Sequence, residues 1–420
     1  MSTALYTLAG IYSLSLLVRY WLSLSYAKRL PPLPSELLPP NTLTIVQAIL
    51  SGDPLLEARL VENLNTLKGQ TFLWLIDEDD TEAQHIAEKL KRPDLHVKLC
   101  TPCPDATNPK LWKLMAASPL IKTAFFAVID DDTTLPASSA TALVEAAKTH
   151  TVATGLPCYL SHGCPSHLLA QFVNNNSAFT YLGTSRLLPP FTLNGMGYVM
   201  RAEMLECIEH FKPILHELTD DLALATLVLK QGGTIHQSAA PLHVQTGVRN
   251  LKHYWQMMHR WYVFTLLLLR RQSISSQMAI FLLHGLPPML LVGSGILFVA
   301  AGKFSIFSAA IPVVLCILEQ WIPRSVPIAA TVLGGALLGL AAVLPPLQGE
   351  QVLLFLLSVR IVILEKVQAR FFRKALHRPF TSLLSELIQP LHLVHALCCR
   401  TIRWRTRLYR VRDTNDFSAA

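Results

Sequence analysis

Apolar and polar positions fall into three regimes along the chain. Residues 4–27 are almost uniformly apolar, a stretch long enough to cross the hydrocarbon core of a bilayer. Arg19 interrupts it late, where its side chain can snorkel toward an interface. From residue 33 to residue 253, short apolar runs alternate with amphipathic segments, as in a soluble domain. The C-terminal third returns to longer apolar runs at residues 278–301, 304–321, 326–344 and 352–364. The last is short and carries Arg360, which predicts a re-entrant or interfacial segment rather than a full span. Pro287 and Pro288 predict a bend in the first of them.

In the middle regime, a Pro-rich linker with Pro34, Pro39 and Pro40 leads into a strand at 42–50, a helix at 54–67 and a strand at 72–76. A helix at 81–90, a strand at 96–99, a helix at 111–117 and a strand at 124–129 follow. Strands alternating with helices imply βαβ units and a mostly parallel sheet. Ligands bind beyond the carboxyl ends of the strands in such a sheet. Two acidic clusters fall at those ends, Asp77-Glu78-Asp79-Asp80 and Asp130-Asp131-Asp132. Like charges gathered there repel, and a bound cation or nucleotide would offset the repulsion.

An apolar run breaking into three consecutive carboxylates makes a hard oxygen site at one strand tip. That chemistry suits Mg²⁺ or Mn²⁺ already carrying phosphate. Farther on, Thr219-Asp220-Asp221 opens an amphipathic helix at 222–230. One of these residues suffices as an N-cap. The second carboxylate is then a candidate general base for an acceptor hydroxyl. Residues 253–261 mix aromatic and basic side chains ahead of the apolar run at 263–269, the pattern of an interfacial helix. There Arg260 is a candidate for a leaving diphosphate or the acceptor, and Trp261 for a stacking wall; both also suit plain interface anchoring. No Ser-His-Asp or Cys-His arrangement stands out, so no protein nucleophile is expected.

Composition adds a membrane. Hydrophobic residues make up 51% of the chain and charged residues only 15%, against about a quarter in soluble proteins. The formal net charge of +8 sits largely after Glu365, on Lys366, Arg370, Arg373 and Lys374 and then on the arginines between Arg400 and Arg412. Apolar interludes at 383–387 and 391–397 predict helices lying on an anionic cytoplasmic leaflet. Lipid headgroups, and no nucleic acid, are the partners expected for this tail. Lys28 and Arg29 directly after the first apolar stretch orient the following domain toward the cytoplasm. Because basic residues follow that stretch rather than precede it, an uncleaved anchor is expected. Cys100 and Cys103 form a CxxC without a second pair at zinc spacing, and Cys398 and Cys399 are candidates for acylation beside a surface helix.

The order of these features resembles the inverting membrane glycosyltransferases of the GT-A fold, particularly the family of ceramide glucosyltransferase and its bacterial relatives, including the hopanoid-associated transferase. Asn108-Pro109-Lys110 resembles the family's Asn-Pro-Lys before a helix, and Gly155-Leu156-Pro157 its Gly-Leu-Pro. Asn194-Gly195-Met196 followed by Val199-Met200-Arg201 is similar to its Thr-Gly-Met and Leu-Met-Arg acceptor-side segment. Trp404-Arg405-Thr406-Arg407-Leu408-Tyr409-Arg410-Val411 resembles its Trp-Arg-Thr-Gly-Arg-Tyr-Arg-Leu tail. Two positions depart from the pattern: Met257 opens the membrane-proximal (Q/R)xxRW motif, and Thr154 stands where the ceramide enzymes carry a His.

The resemblance implies an α/β GT-A (Rossmann-like) catalytic domain with an N-terminal transmembrane anchor and a C-terminal helical membrane or interfacial region. The chain then divides into an anchor at 1–30, a cytoplasmic GT-A domain at 31–252 and an interfacial Arg-Trp helix at 253–275. Transmembrane helices at 276–365 and basic interfacial helices with a cytoplasmic tail at 366–420 complete it. The implied reaction transfers a hexose, most simply glucose, from a UDP-sugar to the hydroxyl of a membrane lipid, with Mg²⁺ or Mn²⁺. Ceramide is the first acceptor; a hopanoid or other lipid with UDP-N-acetylglucosamine is the alternative. A processive polysaccharide synthase and an inactive membrane scaffold are further readings. The host membrane is a bacterial inner membrane or a Golgi membrane. Residue by residue, Asp79, Asp80, Lys110 and Asp130 fall on the nucleotide-sugar, and Asp130 and Asp132 on the metal. Asp221 falls on the base, with Arg260 and Trp261 as its catalytic companions, and Asn194, Gly195, Met196 and Asp220 on the acceptor side.

Overall fold

The computed structural model describes residues 2–300, 350–404, 407–413 and 417–419. The chain forms two compact units. One combines Lys28–Cys158, Leu187–Gly247 and Arg400–Ala420; the other combines Met1–Ala27, Tyr159–Arg186 and Val248–Cys399. The apolar runs at 304–321 and 326–344, and the last residue of 278–301, lie outside the described residues.

The first unit is α/β. Its main sheet contains β1 (Leu43–Ala48), β2 (Thr71–Asp77), β3 (Leu95–Cys100), β4 (Phe125–Ile129), the short β5 (Thr133–Thr134), β6 (Val152–Tyr159), β7 (Gly197–Arg201) and β8 (Ile235–Val244). The strand order is β3-β2-β1-β4-β7-β6-β8-β5. β1 runs parallel to β2 and β4, and β2 parallel to β3. β7 then turns the sheet antiparallel, pairing with β4 on one side and β6 on the other. A parallel Rossmann-like half joined to an antiparallel half is the GT-A-like architecture that the resemblance implies.

The strands read from alternation each lie within two residues of the observed ends. β1, β2 and β4 are buried on both faces, which explains their continuous apolar runs, whereas β3, at the sheet edge, is exposed through its centre. One layer of the core gathers Leu43, Ile45, Phe72, Trp74, Leu60 and Leu143. The opposite layer gathers Val46, Leu73, Phe126, Met200, Leu224 and Val228. The helix Leu56–Thr66 buries Leu56, Leu60 and Leu64 at a spacing of one turn.

Gly155, in the Gly-Leu-Pro segment on β6, explains why that segment needs a glycine. A Cβ there would meet the Ala240 carbonyl oxygen at 2.6 Å and Leu242 Cγ at 3.0 Å. The tail at 401–419, in which no strand is predicted, forms a three-stranded antiparallel sheet of β9 (Thr401–Trp404), β10 (Arg407–Val411) and β11 (Phe417–Ala419).

The second unit is helical. Thr3–Ala27 and Ile274–Phe298 are each long and apolar enough to cross a membrane. Pro287 follows a π-helical turn at Phe281–Gly285, so its missing N–H is absorbed by a widened turn rather than by a break. Glu350–Phe371 is one continuous helix containing the short run at 352–364. The tail interludes are the helices Pro379–Leu387 and Gln389–Cys398. A buried polar seam ties several of these helices together. Arg360 pairs with Glu386 at 2.8 Å and donates to the Ser382 carbonyl at 2.7 Å, and the Tyr12 hydroxyl donates to Glu386 at 3.1 Å. Asn175 donates to the Ser382 hydroxyl at 2.8 Å and accepts from Gln368 at 2.9 Å.

Replacing Gly155 with Ala should destabilise the α/β unit by roughly 1–3 kcal/mol, because the new methyl group meets main chain that cannot move cheaply. Thermal unfolding in detergent tests this: the midpoint should fall by several degrees, and an unchanged midpoint would show that β8 yields.

Candidate active site

The carboxyl ends of β2 and β4 carry the acidic residues that the alternation of strands and helices placed there. β4 ends at Ile129, and the chain turns at once through Asp130, Asp131 and Asp132. The Asp130 N–H donates to the Met196 carbonyl at 3.1 Å, and the Thr133 N–H returns to the Asp130 carbonyl at 3.1 Å. The turn is thereby locked against residues 194–196.

Asn108, 0% exposed, organises the opposite wall. It caps the helix Pro109–Ala117 by accepting from the Lys110 and Leu111 N–H groups. Its amide nitrogen donates to the carbonyls of Glu217 and Leu218 at 3.0 and 3.1 Å. This brings the start of the helix Asp220–Lys230 beside Lys110. The Lys110 ammonium then bridges Asp130 Oδ1 at 2.7 Å and Asp220 Oδ2 at 2.8 Å, and donates to the Gly195 carbonyl at 3.0 Å. Burial alone would lower the Lys110 pKa; Asp130 and Asp220 overcome it and hold the ammonium well above its ordinary value.

Asp221 follows Asp220 in the first turn of the same helix. Its Oδ1 accepts from the Leu222 N–H at 2.8 Å. A Cβ on Gly195 would stand 2.9 Å from its Oδ2, so glycine at 195 lets the main chain pass close to this carboxylate. Burial, with Asp220 adding to it, pushes the Asp221 carboxyl up to about 7, while the Leu222 N–H and Lys110 hold it down. Thr219 occupies the N-cap position without a side-chain cap bond, and Asp220 and Asp221 sit in the positive field of the first turn.

Asp130 and Asp132 are both raised, chiefly by burial, with neighbouring carboxylates adding to it. The Asp130 side chain is 34% exposed, so solvent moderates its shift. Thr246 donates its hydroxyl to Asp132 at 2.6 Å. Among the described residues, no group of three or more His, Cys, Asp and Glu side chains converges as a metal cluster. Hard cations of the Mg²⁺ type need only one or two carboxylates beside water and phosphate oxygens. Two under-neutralised carboxylates at one strand tip fit that requirement.

On the β2 side, Asp80 caps the helix Thr81–Lys89 through the Ala83 N–H at 3.0 Å and accepts from the Ser51 N–H at 2.9 Å. Burial opposes ionisation, but these N–H groups win and hold its carboxyl low. Both oxygens of Asp80 are thus engaged in shaping the loop. Asp79 is exposed, and its carboxylate makes no hydrogen bond or ion pair among the described residues. Asp77 instead pairs with the buried Lys113 at 2.8 Å, and Lys113 also donates to the Ile49 carbonyl at 3.2 Å. Lys113 carries no sequence signal beyond its place one turn after Lys110.

Thr154 accounts for one departure. Buried on β6, it donates to the Gly197 carbonyl at 2.9 Å and accepts from the Asn194 N–H at 3.2 Å. It therefore braces the turn of Asn194, Gly195 and Met196. Met196 N–H donates to Asn194 Oδ1 at 3.2 Å, closing that turn. Tyr198, 2% exposed, lies within electrostatic reach of Lys110, Asp220, Asp130 and Asp221, and its phenol is pushed up by burial. Nothing in its strand sequence distinguishes it from a core tyrosine.

Arg260 and Trp261 belong to the helical unit, on the helix Leu251–Arg270. Trp261 packs edge-on to Tyr159 and tilted against Phe172, with centroids 6.0 and 6.4 Å away. Met257 is buried, so the departure at the motif's first position fills packing space.

The model of glycosyl transferase family 21 matches residues 8–416. No curated protein matches the chain. Among solved structures, a mannosyltransferase from Pyrobaculum calidifontis in complex with GDP-Man and Mn²⁺ is 16% identical, with a TM-score of 0.46 over 76% of this chain and 92% of that one. The S. aureus TarS fragment 1–349 in complex with UDP-GlcNAc is 11% identical, with a TM-score of 0.35 over 90% of this chain and 99% of that one. Likenesses this distant say nothing about the chemistry of this chain.

Replacing Lys110 with Gln removes the positive charge that lowers Asp221. If Asp221 must be ionised to work, activity rises with pH through its pKa, about 7 here. The acidic limb of the pH–rate profile should therefore move upward by about one unit in Lys110→Gln. A limb that stays put, or moves down, would separate Lys110 from Asp221.

Proposed function

The chain belongs to glycosyl transferase family 21, and from that footing we propose that it transfers a hexosyl group from a UDP-sugar to the hydroxyl of a membrane lipid, with inversion. Ceramide is the acceptor put first, with glucose as the sugar. The observation that carries the reading is Asp221: a carboxyl raised to about 7, at a helix start, beside the tight Gly195 turn and next to Asp220, which Lys110 joins to Asp130.

A base poised near neutrality takes a proton efficiently without being permanently protonated. Asp221 accepts the proton of the acceptor hydroxyl as its oxygen attacks the anomeric carbon. The bond from that carbon to the diphosphate breaks on the opposite face, and UDP leaves with the electron pair. One displacement inverts the centre and needs no protein nucleophile. Asp130 and Asp132 would hold Mg²⁺ or Mn²⁺, which when bound supplies positive charge against the departing diphosphate. Lys110 positions Asp130 and Asp220 and keeps their mutual repulsion from opening the site.

The two helices able to cross a membrane support a lipid acceptor. Such an acceptor arrives from the bilayer, whereas the charged donor arrives from water. Lys28 and Arg29 favour a cytoplasmic catalytic unit.

UDP release from the full-length protein in detergent, with Mn²⁺ and UDP-glucose, UDP-galactose or UDP-N-acetylglucosamine, tests the proposal. Each donor is offered with ceramide, with a hopanoid and with no lipid. One donor should turn over only with lipid, and Asp221→Asn should lower kcat by about 10²–10⁴-fold while retaining UDP binding. Lipid-independent polymer formation would favour a polysaccharide synthase, and failure to bind UDP would sink the enzyme reading.

A further inference from the structure

One buried side chain that the proposed reaction does not use joins three of the loops around its carboxylates. Arg59, on the helix Leu56–Thr66, is 2% exposed. Its Nη2 pairs with Asp53 Oδ2 at 2.9 Å, its Nη1 donates to the Gln245 carbonyl at 2.7 Å, and its Nε donates to the Asp131 carbonyl at 3.3 Å. Asp53 lies in the loop after β1, Asp131 in the acidic tip after β4, and Gln245 in the loop after β8.

Each of those loops is bonded onward. Asp53 Oδ1 accepts from the Leu55 N–H at 2.9 Å and its Oδ2 from the Gly247 N–H at 3.3 Å. The Gln245 N–H donates to the Asp132 carbonyl at 2.9 Å, and the neighbouring Thr246 hydroxyl holds the Asp132 carboxylate. The Leu50 N–H donates to Asp131 Oδ2 at 3.0 Å. Arg59 is thus the common node between the loop that meets Asp80 through Ser51 and the segment that orients Asp132.

Burying a guanidinium is costly unless its donors are matched. An apolar residue would fill the same space without that cost. Asp53 alone would account for one edge of the fork, yet the other two donors go to main-chain carbonyls at the acidic tip and after β8. The Arg59 fork spreads its donors over three separate nitrogens, whereas a lysine would have to serve the same acceptors from one.

We propose that Arg59 is a positioning residue for donor binding, holding the loops after β1, β4 and β8 so that Asp132 stays beside Asp130 at the diphosphate end. The inference rests on the transferase reading above, with Arg59 acting through the loops that hold Asp132 rather than on the donor itself.

UDP binding to full-length protein in detergent, measured calorimetrically with Mn²⁺, tests it in Arg59→Lys, Asp53→Asn and the double variant, alongside thermal unfolding and donor and acceptor KM. Arg59→Lys should keep a cooperative unfolding transition, weaken UDP binding about 10–100-fold and raise the donor KM in step, with the acceptor KM unchanged. Asp53→Asn leaves both main-chain acceptors for Arg59, so its loss should be smaller. The double variant should be no worse than Arg59→Lys alone, because both changes act through one node. UDP affinity equal to wild type in Arg59→Lys would overturn the proposal, as would a fall in melting temperature with donor binding intact. Affinity is read without turnover, so a protein that binds UDP and Mn²⁺ but transfers no sugar would count against the reaction while the affinity ratio still decided the role of Arg59.

Discussion

The α/β unit is organised around one electrostatic constraint: carboxylates from separate parts of the chain converge on a single ammonium. Lys110 holds Asp130 and Asp220 within 3 Å of its nitrogen. Charges about 4 Å apart interact by about 4 kcal/mol at the effective dielectric of a protein surface, so an uncompensated convergence would push the site apart. The fold supports Lys110 from several sides. Asn108 starts its helix and tethers the segment before Asp220. The first turn of the helix at Asp220 offers the Leu222 N–H to Asp221. Asp221, outside the direct bridge, keeps enough strain from burial and from Asp220 to titrate near neutrality.

Loops at the carboxyl edge of a sheet carry main-chain groups with no strand partner, and each such group must be paired. Buried polar side chains do this here. Asn63 accepts from the Leu135 N–H and donates to the Thr133 carbonyl, fixing the chain just beyond the acidic tip. Thr154 braces the Gly195 turn, and Arg59 joins the loops after β1, β4 and β8. The rigidity of the site thus comes from side chains that touch no reacting atom. Within the helical unit, Arg360, Glu386, Tyr12, Ser382 and Asn175 form a comparable buried seam, where polar groups select one packing among apolar helices that would otherwise slide.

Much of this was legible in the chain itself. Alternating strand and helix periods located β1 to β4 and their helices, because those periods report local burial and need no knowledge of the fold. The placement of Asp80 and Asp130–Asp132 at strand ends followed from the same alternation. The Asn-Pro-Lys, Gly-Leu-Pro and Asn-Gly-Met segments pointed to a family that the match over residues 8–416 bears out. The antiparallel strands β6 to β8 were less legible, since β6 is buried at every position and β8 shows no clean alternation. The short sheet of the tail was hidden among arginines.

Partnership across sequence distance was decided only in three dimensions. Asp79 and Asp80 read alike in one acidic run, yet one is exposed and the other is bonded to Ser51 and Ala83. Thr154 read as a departure and proves to be a brace for residues 194–197. Lys113, Tyr198 and Arg59 looked like ordinary helix and strand residues. Sequence alone determined the periods, the acidic strand ends and the apolar segments, because each follows from neighbours a few residues apart. The tertiary structure decided which carboxylate meets which cation, because that depends on where segments as distant as Arg59 and Gln245 are folded back together.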